Sequence, residues 1–312
     1  MSSHFFIIES YSAIVFSIKC KQLIKPKYTA IMSAKENIIK TNSAIFSTKD
    51  AVVMGILNLT DDSFFDGGKY SNKEEIIAKC KTMLDEGATI IDIGAQSSRP
   101  GATQISSKEE LKKLIPIIKL LKNNFPNILI SVDTFWSNTA IECALVGTDV
   151  INDISAGEMD KEMFPIIAEL NIPYIMMHMK GNPQNMQNHP EYNNIVDEVS
   201  TYFSNKIEEL KILGFNKIII DPGFGFGKTL EHNYQILNNL DAFKYLKCPI
   251  LTGTSRKSMI YNLLDTTADN ALNGTTITNT MALLNGANIL RVHDVKQAIE
   301  CIKITTFAKN NC

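Results

Sequence analysis

The sequence predicts an α/β protein built as a (β/α)8 TIM barrel, a single domain behind an N-terminal extension. Three observations predict it. From residue 51 onward, short runs rich in Val and Ile alternate with helical stretches, the pattern of βαβ units around a parallel sheet. Eight such units fit into about 260 residues, the size of a closed barrel. Polar or charged residues sit at the C-terminal end of every strand run, where these barrels carry their active sites.

The first strand run, 52–57, ends in Asn58 and leads to a helix over 73–87, with Asn72 as its cap and Gly87 behind it. The second, 89–93, contains Asp92 and runs into Ser97-Ser98-Arg99 before a helix over 107–123, capped by Ser107 ahead of Glu109 and Glu110. The third, 128–133, ends in Asp133 and precedes a helix over 137–146 closed by Gly147. The fourth, 149–154, holds Asn152 and Asp153 ahead of a helix over 161–170. The fifth, 174–179, carries His178 and precedes a long helix over 195–213 closed by Gly214. The sixth, 217–221, ends in Asp221, followed by a Gly-rich loop and a helix over 231–240. The seventh, 250–254, leads into Ser255-Arg256-Lys257 and a helix over 269–285. The eighth, 288–293, brings Arg291 and His293, and a last helix covers 294–307.

Thirty-one basic and 33 acidic residues leave a net charge of −2, so nothing suggests a general affinity for nucleic acid or acidic membranes. Six scattered cysteines form no C-x-x-C pair, which weakens zinc and disulfide readings and suits a reducing cytoplasm. No stretch approaches the roughly 20 apolar residues of a membrane span. Residues 1–47 read as an extension, mobile or a start assigned too early, and 48–312 as the barrel. A chain starting at Met32 is expected to fold and keep its activity.

Asp92, Asp133, Asn152 and Arg291 lie inside apolar runs, where burial without partners costs several kcal/mol. The carboxylates and the amide suit a ring with amidine-like N–H donors, such as a pterin or purine. Arg291, His293 and Arg99 suit a phosphate or diphosphate. The run Gly223–Thr229 has Pro222 where a Walker A glycine is required, and it also fails the dinucleotide fingerprint. It reads as a βα loop in which Phe224 and Phe226 either stack on a flat ring or simply pack. His178 and Met179 carry a core-packing reading, preferred for Met179.

Eight stretches, in order, resemble the dihydropteroate synthase family: MGILNLTDDSFFDGGK (54–69), IDIGAQSSRPGAT (91–103), SVDTF (131–135), INDISA (151–156), MMHMKGNPQ (176–184), IDPGFGFGKT (220–229), GTSRKSM (253–259) and LRVHDVK (290–296). The resemblance implies a transferase of folate biosynthesis and a sulfonamide target. It joins 7,8-dihydropterin-6-ylmethyl diphosphate to p-aminobenzoate and releases 7,8-dihydropteroate and diphosphate. It implies Asp133, Asn152 and Asp221 at the pterin edge, Met177 and Phe226 against its faces, and Lys257 between the pterin and aminobenzoate sites. Arg291, His293 and Arg99 would hold the diphosphate, with Asn58 helping to place Mg²⁺ on it. Phe64, Ser98, Pro100, Ser255 and Lys257 would line the p-aminobenzoate pocket, and Asp133, Lys257, Arg291 and His293 would act in catalysis. A homodimer in the cytoplasm is implied as well. Asp61, Phe65, Gln96 and Ser98 depart from the usual pattern on the aminobenzoate side. Two rivals remain at this point: a pterin-binding methyltransferase domain, and a non-catalytic pterin-binding module. The Ser255–Ser258 turn and Arg291-x-His293 favour the synthase, and the presence of Asn58, Arg99, Lys257 and Arg291 disfavours the module.

Overall fold

The computed structural model describes residues 38–41, 45–48, 50–59, 71–96, 104–182, 184, 186 and 190–311. A short hairpin, β1 (Ile38–Lys40) and β2 (Ile45–Ser47), precedes the barrel. The barrel strands are β3 (Val52–Asn58), β4 (Ile90–Gly94), β5 (Leu129–Asp133), β6 (Val150–Asp153), β7 (Tyr174–Met177), β8 (Ile218–Asp221), β9 (Leu251–Thr252) and β10 (Ile289–Val292). Around them stand α1 (Ser71–Asp85), α2 (Ser107–Asn124), α3 (Ser137–Leu145), α4 (Met163–Leu170), α5 (Ile195–Ile212), α6 (Leu230–Asn238), a short α7 (Ser258–Tyr261), α8 (Leu272–Leu284) and α9 (Val295–Asn310). The strands pair in parallel in the order β8-β7-β6-β5-β4-β3-β10-β9, and a bridge between Ile220 and Ile250 closes the ring.

Strand alternation sorts the side chains into layers. Outward residues such as Val53, Ile91, Ile130, Ile151, Met176, Ile220 and Leu290 pack under the helices in the main core. Inward, each strand contributes one apolar residue to a floor made of Met54, Ile90, Leu129, Val150, Ile175, Ile219, Leu251 and Ile289. Two residues further along each strand the inward positions become Ile56, Asp92, Ser131, Asn152, Met177, Asp221, Gly253 and Arg291. The chemistry thus stands directly on a dry apolar floor.

The hairpin falls inside the segment 1–47 that the sequence reading sets apart, and it packs on the barrel: Ile39 of β1 is 3% exposed and joins the floor layer. Thr48 C=O accepts from Asn288 Nδ2 at 3.0 Å, tying the hairpin's exit to the start of β10. Residues 1–37, with the Met32 expectation, lie outside the described residues.

Smaller corrections follow from local hydrogen bonding. Ser106, not Ser107, caps α2: its N–H bonds Glu109 Oε2 at 2.9 Å while its Oγ accepts from Glu109 N. Ser107 Oγ instead meets Thr139 Oγ1 at 2.9 Å. Helix α1 starts at Ser71, ahead of the assigned cap Asn72. A 3-10 turn at Leu240–Leu246 and the helix α7 were not foreseen. β7 stops at Met177, because His178 turns into a box of Tyr192, Tyr202 and Phe203 rings. Among the described residues no helix is long and apolar enough to cross a membrane.

Candidate active site

Arg291 rises from β10 beside Gly253. Its Nε donates to Asp92 Oδ2 at 2.7 Å and its Nη2 to Asp133 Oδ2 at 3.1 Å. Asn152 Nδ2 donates to the same Asp92 oxygen at 3.3 Å, which leaves the amide oxygen of Asn152 as an acceptor. Asp92 is fully buried, and its Oδ1 has no partner among the described residues. Guanidinium has five N–H donors, so with two engaged three remain for an anion. The sequence reading counted Asp92 among the carboxylates that suit a ring but gave it no role of its own. Here it is the anchor that fixes both Arg291 and Asn152.

Across the mouth, Asp221 Oδ1 accepts the Gly223 N–H at 2.8 Å, so Oδ2 is left for a ligand. Lys257 Nζ donates to Phe224 C=O at 2.5 Å and lies 4.6 Å from the centre of the Phe226 ring. The β8 loop that offers both groups is held from behind. Buried Lys228 donates to His178 Nδ1 at 2.9 Å, His178 C=O at 3.2 Å and Phe226 C=O at 3.0 Å. Burial pulls His178 well below the usual histidine range, with Lys228 adding to it, and burial pulls Lys228 down as well. Lys228, read from sequence only as the tail of a failed Walker motif, is therefore a brace for the loop.

Met177 and Phe226 belong to an apolar cluster with Phe135, Ile154, Met179 and Met186 at the top of the barrel. Phe224 is fully buried in the outer core, so of its two sequence readings packing holds. Carboxylates and an amide on one side and an apolar wall on the other match a flat, N–H-bearing ring.

At the rim, Ser255 Oγ accepts the His293 backbone N–H at 3.2 Å and lies 3.1 Å from His293 Nδ1. Arg256 between Ser255 and Lys257 adopts φ +55° and grips Asp294 with two prongs, 2.9 and 2.8 Å. Asn58 is exposed at the end of β3, in register with Gly94. The expected Phe64, Ser98, Arg99 and Pro100, with Asp61 and Phe65, lie outside the described residues. Gln96 Oε1 accepts the Ile105 N–H at 3.0 Å and so ties the two stems of the loop containing Arg99. Glu110, which the sequence reading used only as a helix-start signal, is buried behind Asp133, accepts from Thr134 Oγ1 at 2.6 Å, and is raised to about 7 by burial. Nothing in its sequence context marks it.

Burial pushes Asp133 up to about 7; Arg291 opposes this and the Asp92 charge adds to it. Burial likewise raises Asp221, against the pull of Lys257. Lys257 falls to about 8 through desolvation, with Asp221 opposing. His293 keeps an exposed edge, yet protein crowds the rest of its ring. Desolvation first and Arg291 next bring it down to about 4.

Comparison with known proteins identifies the family. Residues 54–293 match the family described as pterin binding enzyme. The chain is 41% identical over 264 residues to the dihydropteroate synthase of Escherichia coli, covering 83% of this chain and 93% of that protein. It is similar in structure to the Yersinia pestis dihydropteroate synthase solved with a sulfonamide drug, with a TM-score of 0.82, 37% identity and coverage of 88% and 99% of the two chains. A Xanthomonas albilineans dihydropteroate synthase with 4-aminobenzoic acid gives a TM-score of 0.81 at 33% identity, with the same coverage of 88% and 99%. With the family match over residues 54–293 and a relative 41% identical over most of both chains, the chain belongs to the dihydropteroate synthase family of pterin-binding enzymes.

Proposed function

We propose that this chain condenses 7,8-dihydropterin-6-ylmethyl diphosphate with p-aminobenzoate, yielding 7,8-dihydropteroate and diphosphate. The observation that carries the reading is the single network of Asp92, Asp133, Asn152 and Arg291, which sets N–H acceptors and an anion-binding cation within one hydrogen-bond chain. Asp133, Asn152 and Asp221 receive the pterin's N–H edge, while Met177 and Phe226 cover its faces. Arg291 and His293 take the diphosphate, and Arg99 joins them from its loop. As the C–O bond breaks, charge grows on the diphosphate, and donors aimed at it favour the transition state. The methylene carbon becomes cationic, conjugated with the dihydropterin ring and steadied by the Asp133 carboxylate. The neutral aniline nitrogen then attacks and loses a proton. Phe64, Ser98, Pro100, Ser255 and Lys257 line its pocket. Purified protein mixed with the pterin diphosphate, p-aminobenzoate and Mg²⁺ should form dihydropteroate and diphosphate; no product would end the proposal.

Asn58 offers one amide oxygen, and among the described residues no group of three His, Cys, Asp or Glu is placed to hold a metal. Asn58 would help hold Mg²⁺ arriving with the diphosphate, an ion that takes few protein ligands, and there it would supply positive charge to the leaving group. A homodimer is part of the same proposal. Ile277 and Leu284 on α8, and Ile304 and Phe307 on α9, are exposed on two helices packed together, and sedimentation would report the mass. The four described cysteines are free thiols, which suits the cytoplasm.

Two expected results test the residue roles. Asp221→Asn faces an amide N–H with pterin N–H and should cost about 1.5–3 kcal/mol. It should lower kcat/KM for the pterin substrate by about 10- to 150-fold while leaving the p-aminobenzoate KM near wild type. Unchanged pterin binding would remove Asp221 from the site. The pH profile of kcat/KM, which reports the free enzyme, should be a narrow bell. Asp133 must be ionised, so activity rises with pH through about 7. Lys257 must be protonated, so activity falls through about 8. Lys257→Arg should push the alkaline limb upward, and an unmoved limb would assign it elsewhere.

A further inference from the structure

We propose that the Ser255 hydroxyl is a positioning group that holds His293 in the tautomer protonated on Nε2, aiming that N–H at the leaving diphosphate. The proposal rests on the reading that His293 faces the diphosphate.

The argument is a count of hydrogens. A hydroxyl has one proton to give and two lone pairs. One lone pair of Ser255 Oγ is taken by the His293 backbone N–H, whose direction is unambiguous. Oγ also lies 3.1 Å from His293 Nδ1. If Nδ1 carried the ring proton, Oγ would receive two donors and its own proton would need another acceptor. Ser255 is only 4% exposed, so water is a poor one, and an unmade buried hydrogen bond is costly. If Nδ1 is bare, all three groups are satisfied: backbone N–H to Oγ, O–H to Nδ1, and the ring proton on Nε2.

The surrounding backbone holds this arrangement in place. Arg256 sits in the left-handed region, uncommon for a residue with a side chain. Its N–H bonds Thr275 Oγ1 at 3.0 Å and its guanidinium grips Asp294. Ser255–His293 and Arg256–Asp294 are therefore adjacent rungs joining the β9 exit to the β10 exit. The same turn sends Lys257 the opposite way, to Phe224 C=O. The low proton affinity of His293 is consistent with a neutral ring, in which the choice of tautomer matters.

The test is long-range ¹H–¹⁵N NMR on the full chain labelled at histidine, with His293 assigned by its loss in His293→Asn. Wild type should show a bare Nδ1 and a protonated Nε2; this measurement needs no altered Ser255. Ser255→Ala should give a mixture of tautomers and a loss of about 10-fold in kcat/KM for the pterin diphosphate, milder than deleting a donor outright. Ser255→Thr should restore both. A protonated Nδ1 in wild type, or an unchanged His293 pattern in Ser255→Ala, overturns the assignment of Ser255. Adding inorganic diphosphate should shift the His293 signals. If it does not, the diphosphate reading fails on its own, whatever tautomer is found.

Discussion

Arg291→Ala is expected to lower kcat by about 100- to 1,000-fold, the usual cost of losing a preorganised donor to developing negative charge. A second loss comes with it. Arg291 is the cation between Asp92 and Asp133, and removing one partner of a buried ion pair costs about 3–5 kcal/mol. Melting should therefore drop by many degrees, and binding of 6-hydroxymethyl-pterin, which has no diphosphate, should weaken too, because Asp133 loses its partner. The sequence reading gives Arg291 to the diphosphate, and from that alone such a pterin would bind Arg291→Ala as it binds wild type. Calorimetry with that pterin beside steady-state kinetics decides it. Arg291→Lys, which keeps charge but cannot bridge both carboxylates, should fall between. A kcat within a few-fold of wild type would remove Arg291 from the chemistry.

Gly223→Ala is expected to destabilise by about 3 kcal/mol or more, a left-handed backbone cost added to overpacking. Gly223 has φ +72°, and a Cβ there would lie 2.0 Å from the His178 carbonyl oxygen and 3.1 Å from Met177 Cγ. Backbone cannot yield as a flexible side chain does. Protein that still folds should carry a displaced β8 loop, and with it a misplaced Asp221, Phe226 and Lys257. The control is Gly214→Ala: φ is +78°, but nothing lies within 4 Å of the added carbon. It should cost only about 1–2 kcal/mol. Equal melting temperatures for the two variants would show that the contact with His178 does not matter.

Much of the barrel was legible because parallel strands buried on both faces read as Val/Ile runs, and loops break them with Gly, Ser and Asn. Asp133, Asn152, Asp221 and Arg291 were legible as polar residues that an apolar run does not tolerate without a purpose. Their partners were not. Asp92 and Arg291 are 199 positions apart, and only ring closure brings them together. The β1–β2 hairpin escaped because three-residue strands are too short for any periodicity to register. The bond between Lys228 and His178 escaped because local sequence does not tell a buried lysine from a solvated one.

The seam between β3 and β10 has a consequence for how the chain is made. Asp92 and Asp133 leave the ribosome long before Arg291, and Asn288 must reach back 240 positions to Thr48. Until the last β/α unit is synthesised, a collapsing intermediate holds two inward carboxylates without their cation, which penalises premature sealing. Ring closure and charge neutralisation are then one late event, dominated by contacts remote in sequence. A stop codon ahead of Asn288 would remove the tie to Thr48 and the cation Arg291 together, so products shortened there should be cleared as unfolded chains rather than persist as inactive barrels competing for pterin.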